Sequence, residues 1–107
     1  MQAKLLTIKN ALVALTSKCY HYHAPSKTAP TYIVWAEDGL DNLHGDNKAC
    51  GGIIRGTADT YSKTEFDPLF DGVPTALEGI GCSVELNSVQ YEEDTGIIHY
   101  EWRWEYA

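Results

Sequence analysis

The chain has 107 residues, 44% of them hydrophobic, and a formal net charge of −7 with its histidines neutral. That length suits one domain, residues 1–107, with a single core, and that composition argues against disorder. The acidity opposes any general grip on nucleic acid, which needs clustered Lys and Arg. No apolar run approaches the ~20 residues of a membrane span. The opening Met1-Gln2-Ala3-Lys4-Leu5-Leu6 lacks the long apolar stretch and small-residue cleavage site of a signal peptide, so a cytoplasmic protein is expected. Three cysteines, Cys19, Cys50 and Cys82, are odd in number and widely scattered, so free thiols are expected rather than a disulfide framework.

Residues Gln2 to Leu15 read as a first helix, because Leu5, Ile8, Leu12 and Leu15 recur at spacings of three and four. Cys19-Tyr20-His21-Tyr22-His23 alternates like a short strand, and a loop with two prolines follows from Ala24 to Pro30. Thr31 to Glu37 is β-branched and aromatic, as in a strand that is interior or covered on both faces. A polar loop is expected from Gly39 to Asn47. Gly52 to Ser62 reads as another strand, with Gly56 marking a bulge or a close backbone approach.

Thr64 reads as the N-cap of a second helix, whose stripe is Phe66, Leu69, Phe70, Val73, Leu77 and Ile80. Pro74 is expected to kink or split it. Gly79 and Gly81 are stop signals. Cys82 to Glu92 is strand-like, Glu93-Asp94-Thr95-Gly96 is a turn, and Ile97 to Tyr106 is a long alternating strand. Its apolar face carries Ile98, Tyr100, Trp102, Trp104 and Tyr106; its charged face carries His99, Glu101, Arg103 and Glu105. The order α-β-β-β-α-β-β predicts an α+β fold: a mostly antiparallel sheet of about five strands with two helices packed on one face.

The residues offer several chemistries, each set against a plainer reading. Cys19-x-His21-x-His23 would put sulfur and imidazole on one strand face, as zinc accepts, but no fourth ligand is announced by spacing, and Cys50, His44 and His99 are only possible contributors. The acidic stretch Asp38 to Asn47 lacks regular calcium-loop spacing and reads as a solvated or partner-contacting loop. No cysteine stands at an obvious helix N-terminus or nucleophile turn, so no catalysis, cofactor or metal is expected. The aromatic residues Trp35, Trp102 and Trp104 could stack single-stranded nucleic acid, but such a platform normally comes with a basic groove. A core or an oligomer interface is the plainer reading.

Three stretches together resemble a known family. They are Tyr22-His23-Ala24-Pro25 with Pro30 to Glu37, then Gly56 to Leu69, then Asn87 to Trp102. In order and character they are similar to the tail completion, or tail terminator, group of head–tail joining proteins from phages and prophages of Gram-positive bacteria. The resemblance implies an α+β fold and a homo-oligomeric ring, commonly hexameric, on the head-proximal end of the tail tube. It implies the tail tube protein and the head connector as partners, and a place at the head–tail junction of the virion after assembly in the host cytoplasm. A head-closure or minor capsid protein is the near alternative within the same class.

The mechanism would be assembly rather than chemistry: a heterologous interface closes into a ring when the rotation per subunit divides a full turn. The loop from Gly39 to Asn47 is the first candidate contact, through Leu40, Asp41, Leu43 and Asp46, and the proline loop the second. Acidic residues around the hole would let DNA pass without sequence-specific binding. Five large residues on the last strand exceed what two short helices easily hide, so Trp104 and Tyr106 are expected to meet a neighbouring subunit. The reading of a different class is a small ligand- or nucleic-acid-binding module that uses this aromatic face.

Overall fold

A computed structural model describes residues 1–42 and 52–107. They form an α+β fold in the expected order: α1 (Gln2–Val13), β1 (Cys19–His21), β2 (Tyr32–Asn42), β3 (Gly52–Ser62), α2 (Pro68–Gly79), β4 (Ser83–Glu92) and β5 (Ile97–Tyr106). The five strands make one sheet in the order β1-β2-β3-β5-β4. The β1–β2 pair is parallel and the other three pairs are antiparallel. Gly96, at φ +73, closes the β4–β5 turn as its sequence position foretold.

Alternation along β3 sets the two faces of the sheet. Ile54, Gly56, Ala58, Thr60 and Ser62 are buried, and the residues between them are half-buried. The buried set meets Ile8 and Leu12 of α1, Val73 and Leu77 of α2, Ile33 and Trp35 of β2, and Trp104 of β5 in one core. Both helices therefore cover the same face. Among the described residues, no helix covers the other face.

Several boundaries differ from the expectations, each for a physical reason. The sequence reading ended β2 at Glu37 and began a loop at Gly39. Instead β2 continues to Asn42 through a bulge between Glu37 and Gly39, which leaves Asp38 as the extra residue. β1 stops at His21 because Tyr22 turns left-handed, at φ +75, so His23 does not continue the alternation. The N-cap of α2 is Asp67 rather than Thr64; its carboxylate accepts the Leu69 N–H at 2.9 Å, and Pro68 takes the first-turn position where a missing N–H does no harm. Pro74 neither splits nor ends α2. Phe66 falls before the helix, is 89% exposed and so drops out of the apolar stripe.

The expectation that Trp104 meets a neighbouring subunit is corrected. Trp104 is 1% exposed within the chain's own core. Gly56, directly opposite on β3, leaves room for the indole to lie against the β3 backbone. One small residue thus lets two short helices cover more of the aromatic strand than side-chain volumes alone imply. Strands of ten or eleven residues extend about 35 Å, whereas twelve-residue helices extend about 18 Å. The sheet therefore outruns its helices, and apolar groups near its far end are left uncovered.

Candidate functional site

The helix-free face carries a row of rings across four strands. Tyr20 of β1 meets Tyr32 of β2 edge-on at 6.4 Å, Tyr32 stacks on Tyr61 of β3 at 4.7 Å, and Tyr61 stacks on His99 of β5 at 4.3 Å. The last three are direct cross-strand neighbours, so the register itself builds the stack. Burial first, and the Asp59 carboxylate second, push the Tyr61 phenol up to about 12, so it stays protonated as a donor. The loop after β1 rises beside this row, and Tyr22, Pro25 and Lys27 wall a hollow of about 400 Å³ whose floor includes Tyr32, Tyr61 and Asp59.

Beside the rings, Asp59 stands directly opposite Glu101 in the β3–β5 register. His99 Nε2 lies 3.5 Å from Asp59 Oδ1. Both atoms are shut off from solvent, and neither has a hydrogen-bond partner. Glu101 is held from the other side by Asn87, whose Nδ2 donates to its Oε2 at 2.7 Å. Further along the same face, Arg103 reaches across β3 to Asp38 at 3.0 Å, and Arg55 pairs with Asp41 at 3.1 Å.

The second feature lies at a sheet edge. β4 ends the sheet and has no strand on its outer side among the described residues. Its apolar residues Leu86, Val89 and Tyr91 are 44%, 50% and 64% exposed, on the helix-bearing face of the sheet but beyond the helices' reach. Tyr91 and Ile98 line a hollow with Lys63 and Glu65, next to exposed Phe66. Phe66 also holds a left-handed backbone at φ +59, a conformation that costs a non-glycine residue roughly 1–2 kcal/mol.

Of the sequence-predicted contacts, Leu40 and Tyr106 flank Ile54 from the two neighbouring strands at one end of the sheet. Leu40 and Asp41 lie exposed near the end of β2. Leu43 and Asp46 lie outside the described residues, as do His44 and Cys50. Tyr106 is half-buried at the rim of the core, paired with Ile54.

Cys19, His21 and His23 do not converge. Cys19 packs against the core, and burial pushes its thiol up to about 11 against a small opposing effect of Lys9. His21 Nε2 is bound to Glu37 Oε1 at 2.6 Å, with its ring stacked on Trp35 at 3.9 Å and on Tyr22 at 3.8 Å. Burial raises the Glu37 carboxyl, but hydrogen bonds from His21, its own backbone and Tyr22 outweigh this and hold it below the usual range. Cys82 is buried, and desolvation lifts its thiol to about 11. Both described thiols are therefore protonated and unreactive at neutral pH.

Sequence reasoning missed the Asp59–His99–Glu101 group. The alternation of β5 placed His99 and Glu101 together, but Asp59 joins them only through the β3–β5 register, which spacing along one strand does not reveal. It also missed the β4 edge, because Leu86, Val89 and Tyr91 read as ordinary strand residues until the reach of α2 is known.

No family model matches the chain. A stretch of 79 residues, 74% of this chain, is 29% identical to part of the glutamate–tRNA ligase of Methanobrevibacter smithii, of which it covers 14%. The chain thus spans a small fraction of that relative's length, and the similarity does not place it in the ligase's family.

Proposed function

We propose that this chain is a structural assembly protein of the phage tail terminator group, capping the tail tube as a homo-oligomeric ring and presenting a docking surface to the head connector. The observation that carries the reading is the β4 edge: a ten-residue edge strand with exposed Leu86, Val89 and Tyr91. Uncovered edges of that kind recruit another chain unless they are blunted. Among the described residues, Glu85, Glu92 and the bulge between Leu86 and Ser88 are what blunts this one. The edge at the opposite end of the sheet is β1, three residues long. Two unlike edges suit a heterologous, head-to-tail contact, which closes into a ring rather than a two-fold dimer.

Exposed Phe66 supports the same reading, since a strained backbone holding an apolar ring in water gains from a partner that covers it. DNA would pass through the ring without sequence-specific contact. A head-closure role uses the same surfaces and remains the alternative within the class. The ligand-platform reading has less support, because Trp104 is buried in the core and Trp102 and Tyr106 are packed against it. The ligase similarity offers no competing activity, given how little of that enzyme it spans.

The test is mass measurement in solution with negative-stain imaging of the purified protein, alone and with the tail tube protein of its own phage. Rings that sit on tube ends and stop their growth are expected. Tubes that lengthen without limit, with the protein left unbound beside them, would overturn the reading.

A further inference from the structure

We propose that Asp59, His99 and Glu101 form a binding site for one divalent transition-metal ion of the zinc type on the helix-free face of the sheet. Each offers a ligand atom, and these atoms lie within 4.8 Å of one another. The 3.5 Å between His99 Nε2 and Asp59 Oδ1 is too long for a hydrogen bond. It matches two ligands of a single ion: with Zn–N and Zn–O bonds of about 2.1 Å, it subtends about 113° at the metal, near the tetrahedral value. Cis ligands of an octahedral magnesium ion at such bond lengths would stand about 3.0 Å apart.

Two further observations point the same way. Asp59 and Glu101 are direct cross-strand partners, and like charges so placed repel. A shared cation removes that repulsion, while leaving Nε2 and Oδ1 buried without partners does not. The supporting contacts fit a ligand set as well. Tyr61 fixes the plane of the imidazole by stacking at 4.3 Å, and Asn87 orients the Glu101 carboxylate. Metal ligands are typically held by such outer contacts. Three protein ligands leave a fourth position open, for water or for a donor from another molecule.

The full chain, stripped with a chelator, is titrated with Zn²⁺ by calorimetry and with Co²⁺ by visible absorption. One ion per chain is expected, with the intense cobalt spectrum of a four-coordinate site and far weaker binding of Mg²⁺. His99→Ala and Glu101→Gln should each weaken Zn²⁺ binding at least roughly tenfold, with circular dichroism unchanged. Should either variant fail to fold, Asp59→Asn provides the same comparison. No Zn²⁺ binding by the parent chain would overturn the proposal. So would binding that survives all three substitutions and disappears in H21A/H23A, which marks capture by surface histidines. Ring formation is measured separately and does not enter either outcome.

Discussion

Gly56 on β3 and Trp104 on β5 stand opposite each other, and the indole takes the space a side chain at position 56 would need. A Cβ there would lie 2.4 Å from Trp104 Cζ2 and 2.2 Å from the Ala36 carbonyl oxygen on the far side. Gly56→Ala is therefore expected to destabilise the fold by about 3 kcal/mol, the upper end of overpacking costs. Because the Ala36 contact is backbone, Trp104→Phe should not rescue the variant. Urea denaturation of the single and double variants checks both statements; full rescue would show that the indole alone makes the conflict.

Trp104→Ala should act on folding before it acts on assembly. Removing a fully buried Trp costs about 3–5 kcal/mol, a large share of the 5–15 kcal/mol that typically holds a domain together. The loss should appear in dilute protein and be independent of protein concentration. A variant as stable as the parent when dilute, and defective only in forming rings, would return this residue to the interface role its sequence position suggested.

The contrast shows how far the sequence was legible. The strict alternation of Ile97 to Tyr106 defined β5 and its two faces, and the glycines and β-branched runs placed β3 and the β4–β5 turn. Local periodicity carries that information. It does not carry the volume vacated by a glycine on another strand, so Trp104 was assigned to a partner. Nor does it carry register, which alone sets Asp59 against Glu101. Phe66 misled for a related reason: its spacing fits the stripe of α2, but the cap formed by Asp67 starts the helix at Pro68, two residues too late to include it.

Phe66→Gly separates a cost to the monomer from a gain to the assembly. Glycine accepts the left-handed backbone at this position without strain, so the variant is expected to match the parent or exceed its stability by up to about 1 kcal/mol. An exposed ring that contacts a neighbour should at the same time be missed in assembly. Thermal melting of dilute protein and ring counts on tube ends supply the two readings. Unchanged ring formation would remove Phe66 from the interface.

Asp67 makes the stability of the fold sensitive to acid. Its Oδ1 accepts the Leu69 N–H at 2.9 Å, and its Oδ2 accepts Ser62 Oγ at 2.7 Å and Thr31 Oγ1 at 3.2 Å. Burial pushes the carboxyl up, but these three hydrogen bonds outweigh it and hold the group below the usual aspartate value. In the unfolded chain the same group titrates near about 3.9. A depressed folded value means the stabilisation is complete above that unfolded value and is lost as pH falls through the folded one. Asp67→Ala is expected to cost about 1–2 kcal/mol at neutral pH through the lost cap. The gap between variant and parent should begin to narrow below about pH 4, where the unfolded chain takes up the proton, and close once the folded carboxylate is protonated at lower pH. Urea melts of both proteins across a pH series measure that gap. A difference that stays constant into strong acid would assign the whole effect to side-chain packing and none to the carboxylate charge.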